Sequence, residues 1–207
     1  VSVEGSGVRG RPRDPRADRD IMSATRELLA ADGYEQISIE SIAKAAGVSR
    51  PTVYRRWPSK AHLVFDAAFG HPGDDELPAQ SGDFDTDLRT FVSAALTFWR
   101  DPVVEAAALG ILAERRRDPE LHIRTQQLLD ERTVAHFRSL VRSGIDQGVV
   151  DPAVDVDAFY QLVIGTTFYQ AQVVMDAASN TAQLAERLCS LVIQGVLAVP
   201  NRRKANR

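Results

Sequence analysis

"SIESIAKAAGVSRPTVYRRWPSK", residues 38–60, is the stretch that decides the fold. Its first half sets Ile39, Ile42 and Ala46 at helical spacing behind Ser38, a side chain suited to capping a helix N-terminus, and Gly47 ends the run. Its second half restarts at Ser49, carries Pro51 in the first turn, where a missing N–H costs nothing, and runs to about Arg56. Ser59 opens another helix that ends at Gly70. Two helices joined by a turn at Gly47, the second short and rich in base-reading side chains, form a helix-turn-helix pattern. In that arrangement the second helix enters the major groove of DNA. Arg50 and Arg55 suit guanine, whose two acceptors match the guanidinium fork, and Thr52 offers a methyl group to thymine or a hydroxyl to phosphate. Ser49, Tyr54, Arg56 and Lys60 read as phosphate contacts, which position the helix without reading sequence. Ser38 and Pro51 join them at the expected DNA surface, and Trp57 is expected to pack inward.

Outward from this stretch almost everything reads as helix. Upstream, Ile21, Ala24, Leu28 and Ala31 share a stripe that Gly33 stops. Downstream, the acidic, Pro/Gly-rich "HPGDDELPAQSGD" reads as a linker. Longer helices follow: one with Phe84, Leu88, Phe91, Ala95 and Phe98 on a stripe, one from Pro102 to the turn before Asp118-Pro119, and one long candidate from Pro119 to about Gly148. The segment "VDAFYQLVIGTTFYQAQVVM" is apolar nearly all round, as a helix buried on two sides would be. The last helix stops at Pro200. With no strand alternation and no repeat, the expectation is an all-α protein of about nine helices. A basic, partly disordered arm over 1–20 leads into a helix-turn-helix head over 15–70. A helical body over 83–199 and a disordered tail over 200–207 complete it.

Residues 1–60 carry 11 Lys/Arg against 8 Asp/Glu, and residues 61–207 carry 14 against 20, so a head of +3 sits on a body of −6. A basic head on an acidic body keeps the body off phosphates. No apolar run approaches the roughly 18 residues of a membrane span, and the basic N-terminus has no apolar stretch behind it to make a signal. Cys189 is the only cysteine, which rules out an internal disulfide and fits a cytoplasmic location. It falls in an apolar run and reads as a small buried hydrophobe. His62, His71, His122 and His136 offer no two on one helix face with carboxylates, so no metal is expected. No phosphate-cradling loop and no nucleophile–base pairing stands out, so neither catalytic residues nor a cofactor are expected.

The string from Tyr34 to Leu63, Y-x-x-I-S-I-E-S-I-A-K-A-A-G-V-S-R-P-T-V-Y-R-R-W-P-S-K-x-x-L, closely resembles the DNA-binding head of the tetracycline-repressor (TetR) family. There the I-A-x-x-A-G-V-S run, the tyrosine of the recognition helix and the lysine opening the next helix recur together. Two positions depart from the pattern: Pro51 stands where Gly or Ala is frequent, and Arg55 and Arg56 stand where aromatic residues or His are frequent. Base contacts therefore do not transfer directly, and the paired arginines point to guanine. The resemblance implies a homodimeric transcriptional repressor that binds double-stranded DNA at a palindromic operator and is released by a small, mostly lipophilic effector. For the dimer interface it implies the last two helices, with Gln161, Gly165, Phe168 and Gln172 on one stripe and Leu184, Leu188, Leu191 and Gly195 on the other. For the effector pocket the candidates are Phe91, Phe98, Trp99, Leu109, Leu112, Leu128, Phe137, Phe159 and Thr166, although for any single one of them plain core is the better reading. Ahead of the head, Arg9-Gly10-Arg11-Pro12 resembles the core of an AT-hook, which lies in the narrow minor groove of A·T-rich DNA. The alternative is a basic tail that only attracts phosphates, and both make binding steeper in salt. A rival for the whole chain is a DNA-bound protein whose body recruits or blocks a protein partner without a ligand.

Overall fold

The computed structural model describes residues 15–70, 77–127, 132–174 and 180–196. Four helices make the head: α1 (Pro15–Asp32), α2 (Ile39–Ala45), α3 (Arg50–Tyr54) and α4 (Lys60–Phe69). Ser38 caps α2 in a reciprocal box with Ser41: the Ser38 hydroxyl accepts from the Ser41 N–H, and the Ser41 hydroxyl accepts from the Ser38 N–H. Gly47 makes the turn at φ 66°, a left-handed conformation that a side chain would strain. The Val48 N–H then reaches back to the Ala43 carbonyl at 2.9 Å, closing the end of α2. Recognition helix α3 is shorter than expected, ending at Tyr54, with Arg55 as its C-cap.

Six helices form the rest: α5 (Phe84–Trp99), α6 (Pro102–Glu114), α7 (Pro119–Gln126), α8 (Arg132–Asp146), α9 (Val156–Tyr169), which runs on into a π-helical turn (Gln170–Val174), and α10 (Thr181–Val196). Four of them start on a carboxylate. Asp83, Asp101, Asp118 and Asp155 each accept from N–H groups of the first turn, and Pro102 and Pro119 occupy first-turn positions that need no donor. Ten α-helices are thus described, and no strand among the described residues. The sequence suggests about nine, and the difference lies in the long candidate after Pro119. There α7 and α8 flank residues 128–131, which lie outside the described set.

Burial divides the chain differently from the linker. One buried cluster holds Ile21, Leu29, Ile42, Val53 and Leu63 of the head together with Val104, Ala107 and Ile111 of α6 and Leu121 of α7. The other holds Phe84, Leu88, Leu96, Phe137, Leu140, Phe159 and Cys189 from α5, α8, α9 and α10. Each fully buried Leu, Ile or Phe contributes about 1.5–3 kcal/mol by leaving water. The head is therefore seated on α6, which both α1 and α4 contact. Tyr34 fixes that seat. A Cβ on Gly110 of α6 would lie 2.4 Å from the Tyr34 ring, so only glycine permits the ring to lie on the α6 backbone. The Lys60 ammonium covers the same ring, 4.1 Å from its centroid. Burial, with Glu114 and Glu35 nearby, pushes the Tyr34 phenol up to about 12. Among the described residues no helix is long and apolar enough to cross a membrane.

Candidate nucleic-acid interface and a cavity beneath it

The outer face of α3 carries Arg50, Pro51, Tyr54 and, just past its end, Arg55, all exposed. Its inner face is Val53, fully buried. Tyr54 keeps 48% of its surface in solvent, a large share for an aromatic ring with no core to fill. Arg50 lies 3.8 Å from Glu40, both well exposed, a contact too loose and too solvated to hold the guanidinium back. Ser49 occupies the N-cap position of α3, but its hydroxyl meets the Thr52 hydroxyl at 2.9 Å instead of capping the backbone. Ser38 stands exposed at the N-terminus of α2.

Arg56 and Lys60 differ from the phosphate contacts expected of them. The Arg56 guanidinium turns back under α3, pairs with Asp18 of α1 and donates to the Thr52 carbonyl at 3.0 Å, leaving its side chain 6% exposed. The Lys60 ammonium donates to the carbonyls of Tyr34 at 2.9 Å and Ile37 at 3.3 Å, so it ties α4 to the chain between α1 and α2. Both invert because their partners lie more than twenty positions upstream, beyond the reach of local spacing. Arg9 and Arg11 lie outside the described residues.

Behind α4 is a cavity of about 230 Å³. Phe65 and Phe69 of α4 line it with Trp99 of α5, Ile111, Leu112 and Arg115 at the end of α6, Thr125 of α7, and Gly165 and Phe168 of α9. Phe168 meets Trp99 edge-on, with centroids 5.0 Å apart. Of the residues named for an effector pocket, Trp99 and Leu112 line this cavity, and Phe98 packs beside it, 5.0 Å from Trp99 and 6.2 Å from Phe69. Phe91, Phe137 and Phe159 do not: Phe91 and Phe159 both pack against Phe137, tilted and edge-on, in the second core. Leu109 points outward, 54% exposed, and Leu128 lies outside the described residues.

Sequence reasoning missed the α4 residues Phe65 and Phe69, Arg115 of the α6 end, and the polar link behind α4. Asp66 of α4 accepts from the Trp57 indole N–H at 2.7 Å on one oxygen and from Arg124 of α7 on the other. The Arg124 guanidinium lies over the Phe65 ring, 4.8 Å from its centroid. A single carboxylate therefore joins the segment after the recognition helix to a helix of the cavity wall. Its sequence signal is a single acid within the apolar run from Leu63 to Phe69.

A second depression, of about 360 Å³, lies between α5, α9 and α10 and is lined by Leu88, Leu162, Thr166, Leu188, Leu191 and Val192 among others. Two of its lining residues, Leu162 and Leu191, leave 56% and 71% of their surfaces in water, and Tyr169 and Val173, further along α9 and its π-helical turn, are 53% and 54% exposed. Gln161 is exposed on α9, and Leu188 and Leu191 lie on this face. Gly165, Phe168, Gln172 and Leu184 depart from the stripes expected of an interface. Gly165 and Phe168 border the first cavity, Gln172 is buried and donates to the Trp99 carbonyl at 3.3 Å, and Leu184 belongs to the second core. Gly195 falls in α10, beyond the side chains described. Thr166, expected in the pocket, faces this depression instead.

Two family profiles match the chain. One, bacterial regulatory proteins of the tetR family, covers residues 21–67, and the other, the tetracyclin repressor-like C-terminal domain, covers residues 78–194. The HTH-type transcriptional regulator YdeS of Bacillus subtilis (strain 168) is 29% identical over 178 residues, 84% of this chain and 87% of that protein. Among solved structures, the fatty acid degradation regulator FadR of Bacillus halodurans superposes with a TM-score of 0.69 at 22% identity, covering 89% of this chain and 98% of its own. FadR of Bacillus subtilis, solved in complex with stearoyl-CoA, gives 0.67 at 20% identity over 86% and 98%. At these identities the two structures speak for the fold alone.

Proposed function

The chain belongs to the TetR family, whose members are DNA-binding transcriptional regulators and not enzymes, and on that premise we propose a repressor that binds a palindromic operator as a homodimer and is released by a small, mostly lipophilic effector. The observation that carries this reading is that α4, the last helix of the head, supplies Phe65 and Phe69 to the wall of the cavity. An occupant of the cavity touches the head without an intermediary. An apolar cavity beneath the head favours a ligand-gated body over one that only docks a protein partner.

In the DNA-binding form, Arg50 and Arg55 reach base edges, while Ser49, Thr52, Tyr54 and the α2 N-terminus at Ser38 meet the backbone. Pro51 shapes the approach of α3. Arg9 and Arg11 add phosphate attraction from the arm. Filling the cavity presses on Phe65, and through it on Arg124 and Asp66, so α4 turns and the two recognition helices lose the spacing of the groove. The effector relieves repression only by as much as it prefers the form with the helices apart.

Selection of bound duplexes from a random library, with the mass of the complex measured in solution, tests the reading. The expected result is an inverted repeat bound by two chains, with half-site centres about 34–36 Å apart or a multiple of that. General, salt-sensitive binding with no enriched repeat would remove the operator and the repressor together.

A further inference from the structure

We propose that the ligand of the cavity beneath α4 is an amphipathic organic acid, its carboxylate on Arg115 and its hydrocarbon against Trp99, Phe168 and the two phenylalanines of α4. The inference rests on the reading of that cavity as an effector site and adds the chemical class. Among the described residues Arg115 is the only charged one in the lining. It is half-buried at the C-terminal end of α6, and among the described residues its guanidinium has neither an ion pair nor a hydrogen bond. The contrast with Arg124 is direct. That guanidinium also lies at the α4 side of the body, and Asp66 balances it.

A half-buried cation facing an apolar space, with no counter-charge among the described residues, carries a desolvation cost that an occupant bringing the counter-charge recovers. A carboxylate fits best, because its two oxygens accept the two parallel N–H groups of the guanidinium fork and its single negative charge is matched by the single positive one. A phosphate dianion would leave one charge unmatched, and an ammonium would meet a like charge. Thr125 does not compete as a donor, since its hydroxyl donates to the Leu121 carbonyl at 2.7 Å. At about 230 Å³ the cavity falls below the roughly 300–1,000 Å³ that enclose drug-sized ligands, which favours a short hydrocarbon.

Calorimetric titration of the full chain with octanoate, 1-octanol, octylamine and octyl phosphate, four head groups on one hydrocarbon, tests the assignment. Octanoate should bind at least tenfold more tightly than octanol, with octylamine the weakest. Arg115→Gln should bring octanoate down to octanol and leave octanol unchanged, and Arg115→Lys should keep an acid preference. Equal binding of acid and alcohol by the native chain, an acid preference that survives Arg115→Gln, or tighter binding of octyl phosphate would each overturn the carboxylate. Gly165→Leu separates this failure from failure of the site. Gly165 is exposed at the rim of the cavity and nothing lies within 4 Å of a Cβ there, so a leucine is accommodated without a clash and narrows the rim. It should abolish binding of acid and alcohol alike. Undiminished binding in Gly165→Leu, or no binding of any of the four by the native chain, would overturn the effector site itself and this proposal with it.

Discussion

Two neighbouring arginines, Arg55 and Arg56, have opposite duties. Arg55 is exposed past the end of α3, with no ion pair among the described residues, and is free to reach a base edge. Arg56 is an internal strut between α3 and α1. Arg55→Ala should leave the fold intact and relax preference at one base pair by about 1–3 kcal/mol, read by competition between operators that differ at that position. An unchanged preference would take Arg55 out of base readout. Asp87, buried near the start of α5, has a different kind of duty. It accepts from the Ser81 N–H and hydroxyl at 2.7 Å each and from the Gly82 N–H at 3.1 Å. Burial alone would raise its pKa, but these donors outweigh burial and hold the carboxyl below its ordinary value. A carboxyl lowered on folding contributes stability above its unfolded value, 3.8, and the contribution fades as pH falls through the folded value. Asp87→Ala should therefore cost about 1–3 kcal/mol at neutral pH, because it strands part-buried donors. In denaturant titrations the gap from the native chain should narrow below about pH 4. A gap constant down to pH 2 would assign the loss to packing.

Among the elements, α4 matters most, because it belongs to both the head and the cavity. Asp66→Asn is the informative change. Asparagine can still accept from the Trp57 indole, but it loses the charge that holds Arg124. If α4 passes the state of the cavity to the head through this carboxylate, the variant should bind operator with near-native affinity while an effector weakens that binding far less. Titration of operator binding with and without ligand reads both quantities, and an undiminished ligand effect would route the coupling elsewhere. Helix starts were legible in the sequence, because Asp83, Asp101-Pro102, Asp118-Pro119 and Asp155 are local signals that act on the next three residues. Helix faces were legible only where polarity alternates. In α9, apolar nearly all round, periodicity carries no phase, so Gly165 and Phe168 could be placed on a stripe but not on the side that borders the cavity. The inward turns of Arg56 and Lys60 were hidden for a related reason: Asp18, Tyr34 and Ile37 come into reach only after α1, α2 and α4 have packed.

At the scale of the whole molecule, the residues that α9 and α10 leave uncovered offer the face on which the proposed homodimer would pair. Leu162 and Leu191 line one depression, Tyr169 and Val173 stand exposed further along α9 and its π-helical turn, and α10 is already anchored by Leu184 and Cys189 in the second core. An apolar face whose reverse side is fully packed has no further use within the monomer, and two-fold pairing of that face would give the symmetry a palindrome requires. Leu191, 71% exposed, is the residue to change. Leu191→Glu should cost the isolated chain little, since the side chain already stands in water. It would set like charges against each other across a two-fold interface and strip them of solvent. Sedimentation should then show the mass of one chain, against the two expected of the native protein. The melting temperature, which rises with concentration for a native dimer, should become independent of it. Affinity for an inverted repeat should fall steeply while affinity for a single half-site holds, because α3 lies in the other core and is untouched. A variant that stays dimeric would move the interface off α9 and α10, and the uncovered leucines would then belong to a different partner.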